Sequence, residues 1–133
     1  MRMTRLAPLF AAAAALAFPV SAATKDAADD RMAKALAGRV AGSPVRCISL
    51  SSVTSSQIIG RTGIIYQVGG RMFLNRPQSG ADRLREWDVL LTRSNGTQLC
   101  RADTVDLIDQ GSRAVRSFVV LGDFVPYTPA KER

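Results

Sequence analysis

Two cysteines, Cys47 and Cys100, are the residues of this chain with the widest range of chemistry, because a cysteine can serve as a nucleophile, a metal ligand or half of a disulfide. The 133-residue sequence contains no histidine. That absence excludes Ser-His-Asp and Cys-His catalysis and histidine-ligated zinc, since each of them needs an imidazole. Redox-active pairs usually lie in a Cys-x-x-Cys motif, whereas these two cysteines lie far apart. The pattern favours a structural disulfide, with free or reactive thiols as the alternative.

The turn at Asn95-Gly96 predicts which way Cys100 faces. Asn-Gly between alternating segments is typical of a two-residue hairpin, and this hairpin would place Leu91 opposite Cys100. Residues directly opposite in an antiparallel pair share a face, so Cys100 is expected on the core side with Val89 and Leu91. Cys47 lies in another predicted strand, and a Cys47–Cys100 bridge would stabilise the fold by about 4 kcal/mol through chain entropy.

Three aspartates, Asp103, Asp106 and Asp109, are spaced by three residues. On a helix they would share one face and could bind a calcium ion through oxygen. The alternating segment around them favours a strand instead, on which Asp106 faces away from the other two. The Asp-x-Asp-x-Asp-Gly pattern of a calcium loop is also missing. We therefore predict solvated edge charges and no metal site, and a calcium-dependent or carboxylate-based module remains an alternative.

No other pattern in the sequence predicts a catalytic residue or a cofactor. The serines lack a Gly-x-Ser-x-Gly elbow, and the glycines are not followed by the Lys-Ser/Thr of a phosphate-binding loop. We therefore expect a protein that is not an enzyme. Most aromatic side chains are expected in the core of a half-buried sheet. A candidate binding surface remains, formed by the charged and aromatic residues Arg71, Arg76, Asp82, Arg83 and Trp87.

The first 23 residues have the pattern of a secretory signal peptide. Arg2 and Arg5 precede an apolar run from Leu6 to Phe18, and small residues follow at 20–23, so we expect cleavage after Ala22 or Ala23. The run is too short to span a membrane, which takes about 20 apolar residues. No cysteine lies at the cleavage site, which argues against a lipoprotein. The alanine-rich composition is typical of bacterial precursors and predicts a periplasmic protein.

The rest of the chain predicts one small domain. Residues 24–44 are interpreted as a helical or flexible leader, residues 45–128 as a single disulfide-bridged β-rich domain, and residues 129–133 as a tail. Hairpin turns are predicted at Gly69-Gly70 and Asn95-Gly96. A last strand is predicted over Ser117–Tyr127, interrupted at Gly122-Asp123 and ended by Pro126 and Pro129. The expected fold is mainly β, a small antiparallel sandwich or open barrel with a short N-terminal helix, and α+β is the alternative.

Four short segments, "CISL", "FLNRP", "LCRADTVDLID" and "LGDFVPY", resemble a family of small exported proteobacterial proteins that is catalogued as a domain of unknown function. The resemblance covers roughly residues 45–127. Family members often carry further cysteines where this chain has Ser79 and Val119 or Val120, so the second bridge is missing here. The resemblance implies export and the extent of the fold, and it implies no catalytic residue. The residues that carry it best are Leu99, Cys100, Asp103, Leu121, Gly122, Phe124 and Pro126.

The charge of the exported chain bears on its partners. Loss of Arg2 and Arg5 from the 18 basic residues leaves 16 basic against 11 acidic residues, a formal charge of +5. The arginines are dispersed and no nucleic-acid-binding motif is present, so a nucleic acid is not expected. We expect a periplasmic binding or envelope-maintenance protein, with an envelope protein or an anionic glycan or lipid head group as partner. The other hypothesis is an inhibitor of a secreted or periplasmic hydrolase that acts through the loop Arg76–Arg83.

Overall fold

The computed structural model describes residues 12–15 and 21–131. The predicted signal peptide therefore lies largely outside the described residues, as does the end of the predicted tail. Two 3-10 helices, Leu50–Ser52 and Ala81–Arg83, accompany one helix and ten strands within the described range. In chain order these are α1 (Ser21–Ala35), β1 (Arg39–Ala41), β2 (Cys47–Ser49), β3 (Val53–Ile59), β4 (Gly63–Val68), β5 (Arg71–Asn75), β6 (Val89–Arg93), β7 (Gln98–Cys100), β8 (Thr104–Ile108), β9 (Val115–Val120) and β10 (Phe124–Pro129).

The strands form three antiparallel units. A five-stranded sheet has the order β1-β10-β5-β4-β3, a three-stranded sheet has the order β6-β8-β9, and β2 pairs with β7 as a ribbon. Within the described residues these units do not close into a barrel. The prediction of a mainly β, antiparallel fold with a short N-terminal helix is confirmed.

The main core lies between the two larger sheets. Each sheet turns alternate side chains inward, as the two-residue period of a strand requires. The five-stranded sheet supplies aromatic and β-branched residues, the three-stranded sheet supplies smaller aliphatic ones, and the ribbon covers one end. The buried residues of this cluster are Ile48, Ile58, Ile64, Tyr66, Phe73, Leu84, Leu99, Val105, Leu107, Val119, Leu121 and Phe124.

Helix α1 packs on the other face of the five-stranded sheet. Its Met32 is buried against Ile59, Ile65 and Leu74 in a second, smaller cluster. The chain then turns through Gly38, which has a φ of 73°, and enters β1, where Val40 pairs with Thr128 of β10. The segment interpreted as a leader thus contributes a packed helix and a strand, and the sheet begins before residue 45.

The two predicted hairpins have different outcomes. At Gly69-Gly70 the hairpin is present, with Val68 paired to Arg71 and Gly69 at a φ of 60°. At Asn95-Gly96 the prediction is wrong, because β6 pairs with β8 and β7 pairs with β2. The local preference of an Asn-Gly turn is outweighed here by burial, since β8 supplies the fully buried Val105 and Leu107 and takes β6 as its neighbour.

The predicted last strand is two strands in different sheets. The chain leaves β9 of the three-stranded sheet, crosses at Gly122-Asp123 and enters β10 of the five-stranded sheet. Pro126 and Pro129 were expected to end the strand. Pro126 lies inside β10, whereas Pro129 is its last residue. The Pro126 carbonyl accepts a hydrogen bond from the Gly42 amide at 2.7 Å, just where β1 has ended. Because the missing N–H of Pro126 would point to that same side, no ladder bond of the sheet is lost.

Candidate functional site

Cys47 and Cys100 form a disulfide, as predicted. The two residues are directly opposite in the β2–β7 ribbon, with Cα atoms 4.0 Å apart. The predicted orientation of Cys100 is wrong, because the next pair along the ribbon, Ile48 and Leu99, is the one that enters the core. The sulfurs therefore lie on the opposite, partly exposed side of the ribbon, and the bridge ties β7 to β2 rather than filling the core.

The three spaced aspartates have separate partners. Asp103 accepts the Cys100 amide at 2.8 Å, and Asp106 pairs with Arg93. Asp109 instead holds the turn that follows β8. Among the described residues, no group of three or more histidine, cysteine, aspartate or glutamate side chains is arranged to hold a metal ion. The three carboxylates thus act individually on neighbouring donors.

Asp109 has a perturbed carboxyl group. The backbone N–H and the hydroxyl of Ser112 lower the pKa of Asp109, the Gly111 N–H and the charge of Arg85 act in the same direction, and desolvation opposes them. The corresponding hydrogen bonds are 2.8 Å from the Ser112 amide, 3.1 Å from its hydroxyl and 2.9 Å from the Gly111 amide. Donors that stabilise a carboxylate in this way make it a turn cap and a poor general acid.

Tyr66 is the other residue with a perturbed pKa. Burial raises the pKa of Tyr66, because the phenolate would be desolvated in the main core. The ring contacts Phe124 edge-on, with centroids 5.8 Å apart, and the hydroxyl has no hydrogen-bond partner within the described part of the chain. Tyr66 therefore stays protonated and packs as an aromatic side chain.

The five residues of the predicted binding surface lie in different elements of the structure. Arg71 and Arg76 lie at opposite ends of β5, and Arg71 lines a cavity of about 320 Å³ together with Phe73 and Pro126. Asp82 and Arg83 lie in the 3-10 helix before β6. The guanidinium of Arg83 lies 5.6 Å from the centroid of the Phe118 ring.

The outward side of the three-stranded sheet carries an exposed apolar patch. The register aligns three cross-strand rows on this side: Val89, Ile108 and Val115, then Leu91, Asp106 and Phe118, then Arg93, Thr104 and Val120. Trp87, two residues before β6, is 77% exposed, the highest value among the large exposed apolar residues. We define the outer apolar face as the exposed residues Trp87, Val89, Leu91, Val115 and Phe118.

An ion pair lies within the outer apolar face. Asp106 is only 8% exposed although its strand face is the outward one, because Leu91 and Phe118 flank it and Arg93 pairs with it. A carboxylate removed from water needs such a partner. The Arg93 side chain remains 65% exposed, so its guanidinium is still accessible to a further partner.

Further arginines give this side of the molecule a basic rim. Asp88 is neutralised by Arg116, and the Asp88 side chain is almost fully covered. Arg83, above Phe118, and Arg113, in the turn before β9, take part in no ion pair among the described residues. The outer apolar face is thus apolar and aromatic at its centre and has uncompensated positive charge beside it.

A buried polar contact that the sequence interpretation missed connects the two large sheets. Asn75, the last residue of β5, has no exposed surface. Its amide nitrogen donates to the Gly122 carbonyl at 2.8 Å, and its amide oxygen accepts the Gly122 N–H at 3.0 Å. A Cβ atom at Gly122 would overlap the Arg76 carbonyl oxygen. An asparagine within the apolar segment "MFLN" is the sequence signal that could have indicated such a contact.

The fold and the patch define a small disulfide-bridged antiparallel β sandwich with one exposed apolar and basic face. No protein-family model, curated protein or solved structure matches the chain. Within the described residues, no helix is both long enough and apolar enough to cross a membrane.

Proposed function

We propose that this chain is an exported, non-enzymatic envelope protein that binds an anionic lipid surface through the outer apolar face. The observation that carries the proposal is the grouping of Leu91 and Phe118 on the outward side of one sheet, with the exposed Trp87 two residues before β6 and Arg83 over Phe118. Contiguous apolar patches on a protein surface typically mark an interaction site. Tryptophan is favoured at the boundary between lipid and water, where its ring is buried and its N–H stays hydrated.

The charges of the same region favour lipid that carries phosphate. Arg83 and Arg113 lie beside the apolar residues and have no carboxylate partner among those described. Each arginine near an anionic membrane contributes about 1 kcal/mol at low ionic strength. The apolar residues would then enter the interface while the arginines bind head-group phosphates, and no catalytic group is needed.

A periplasmic location is part of the proposal. The Cys47–Cys100 disulfide is typical of proteins of oxidising compartments. The signal-peptide pattern of residues 1–23 supports the same address. Fractionation of a bacterial host that expresses the full chain is expected to recover a processed form, shortened at Ala22 or Ala23, from the periplasm, and recovery of the intact chain from the cytoplasm would contradict the location.

Vesicle binding tests the lipid proposal directly. Trp87 is the single tryptophan of the chain, so its emission reports on the proposed surface without labelling. With the processed protein at fixed concentration, vesicles containing phosphatidylglycerol are expected to shift the Trp87 emission to the blue. Vesicles of phosphatidylcholine alone are expected to bind at least about tenfold more weakly, because the attraction of two arginines is lost.

Two variants distinguish vesicle binding through the outer apolar face from nonspecific adhesion. Phe118→Glu places a charge at its centre and is expected to abolish the emission shift. Val40→Glu is the matched control, because Val40 is also exposed, at 57% against 47% for Phe118, but lies in β1 of the other sheet. Equal loss in both variants, or no binding of the wild-type protein to phosphatidylglycerol vesicles at low salt, would overturn the proposal.

A hydrolase inhibitor is the second candidate, favoured by the rigidity of the loop Arg76–Arg83. The Gln78 amide donates to the Val120 carbonyl at 2.9 Å, and the Val120 amide donates to the Ser79 carbonyl at 3.0 Å. A loop held in place before binding loses little conformational entropy when it enters an active site. Inhibition of hydrolases in a periplasmic extract that is lost in Arg76→Ala and Asp82→Ala, with vesicle binding unchanged, would support it. The calcium-dependent alternative gains no support, since Asp103, Asp106 and Asp109 have separate partners.

A further inference from the structure

Strand β6 lies at a free edge of the three-stranded sheet. On its outer edge it pairs with no strand within the described part of the chain. Its sequence, VLLTR, contains no proline or lysine, and its register with β8 is unbroken. Proline, lysine and a bulge are the features that usually protect an edge strand from pairing with another chain, and β6 has none of them. The outer backbone groups of β6 are therefore unpaired within the described residues, and Asp88, Val89 and Leu90 line a cavity of about 320 Å³ together with Ser56, Gln57 and Ile58 of β3.

The β3 edge of the five-stranded sheet has a different character. In β3 the residues from Thr54 to Gln57 are polar and exposed, and the register with β4 shifts between Val53 and Ser55. Polar side chains and a bulge disfavour pairing at that edge. The contrast makes β6 the better docking strand of the two.

We propose that β6 pairs antiparallel with β6 of a second copy of the chain, centred on Leu90, and forms a two-fold symmetric dimer. The apolar residues of β6 favour β6 of a second copy as the pairing strand. Centred on Leu90, the pairing sets Val89 opposite Leu91 of the second copy. Each contact occurs twice by symmetry, as in any isologous interface.

The contacts of this register are complementary. Directly opposed aliphatic pairs contribute roughly 0.2–1 kcal/mol each in an antiparallel pair. The Arg93 side chain remains accessible at the end of the strand while its Nε pairs with Asp106. Asp88 comes opposite Thr92, so no two like charges are opposed.

A two-fold axis at the next residue of β6 is less favourable. Pairing centred on Leu91 would set Val89 opposite Arg93 of the second copy. A charged guanidinium would then face an aliphatic side chain, and the two Val89–Leu91 pairs would be lost. The two-fold axis is therefore assigned to Leu90.

The dimer goes beyond the proposed lipid binding and does not depend on it. It would join two three-stranded sheets into one six-stranded sheet and place two outer apolar faces side by side. Two linked faces would bind a surface more strongly than one. Because the dimer is tested without lipid and lipid binding is tested with Phe118 in β9, the failure of one proposal leaves the other to be judged on its own data.

Sedimentation velocity of the processed protein over a wide concentration range is the first test. The wild-type protein is expected to convert from monomer to dimer as concentration rises. Leu91→Lys is expected to weaken the dimer by about tenfold or more, because a charge enters the apolar pairing. Val115→Lys is the matched control, since it places the same charge on the same face but in β9, on the opposite side of the sheet from the β6 edge.

Hydrogen exchange of the wild-type protein locates the interface without a substitution. Amides of β6 are expected to gain protection with concentration, while those of β3 do not. A protein that stays monomeric throughout, a dimer that protects β3, or a dimer that leaves the β6 amides unprotected would each overturn the proposal. So would a folded Leu91→Lys protein that dimerises as the wild type does.

Discussion

At the scale of single residues, the side chain of Asn75 makes a contact on which two sheets depend. Its amide replaces the backbone pairing that is missing where the chain crosses between β9 and β10. Both Gly122 backbone groups are satisfied by that one side chain. A buried backbone group without a partner is costly, so this residue is expected to be intolerant of change.

The first prediction concerns this contact. Asn75→Ala is expected to lower the free energy of unfolding by about 2–4 kcal/mol, because the Gly122 N–H and C=O lose their partners in a buried place. Asn95→Ala, at an exposed turn, is the matched control and is expected to change it by less than about 0.5 kcal/mol. Urea denaturation followed by circular dichroism measures both, and equal stability of the two variants would contradict the role of Asn75.

At the scale of elements, the turn that joins β8 to β9 is held by one carboxylate. Asp109 accepts hydrogen bonds from Ser112 and Gly111, and these lower its pKa from the ordinary 3.8. Because the folded-state pKa is the lower one, the charged form stabilises the fold. That contribution is fully present above the unfolded-state pKa and is lost as the pH falls through the folded-state pKa.

The second prediction follows from the lowered pKa of Asp109. Asp109→Asn is expected to be less stable than the wild type at neutral pH, since the amide oxygen is a weaker acceptor than a carboxylate. The difference between the two proteins should shrink in acid, as the wild-type carboxyl becomes protonated. Urea denaturation at a series of pH values from neutral to about 2 measures the difference. A difference that is constant across the series would contradict the assignment.

Element pairing was the part of the fold that local patterns predicted least well. The Gly69-Gly70 hairpin was predictable, because its turn and its two strands are adjacent in sequence. The Asn95-Gly96 hairpin is not formed, because β6 pairs with β8 and β7 pairs with β2, where their apolar residues are better buried. Pairing between distant strands depends on which faces are buried together, and a local turn signal does not contain that information.

At the scale of the whole molecule, the disulfide connects strands that are far apart in the chain. The bridge spans a sequence separation of 53 residues and joins β2 to the segment that precedes β8. Closing a loop of that length reduces the entropy of the unfolded chain. The ribbon it holds also places Ile48 and Leu99 in the main core.

The third prediction concerns this bridge. The double variant Cys47→Ser/Cys100→Ser is expected to be about 4 kcal/mol less stable than the oxidised wild type, since the unfolded chain regains its loop entropy. Reducing agent should lower the stability of the wild type to that of the variant and leave the stability of the variant unchanged. Thermal and urea denaturation with and without reductant test this, and a wild type that is insensitive to reductant after verified reduction would contradict it.

Composition and short-range pattern by themselves determined the β-rich class, the antiparallel arrangement, the disulfide pair and the absence of histidine chemistry. Each of these depends on residue identity or on neighbours within a few positions. The tertiary structure alone decided that Leu99 rather than Cys100 faces the core, that β9 and β10 belong to different sheets, and that Leu91 and Phe118 are exposed on one sheet face. These properties depend on which distant strands share a buried face, because burial in a common core selects the pairing and thereby leaves the outer apolar face and the β6 edge uncovered.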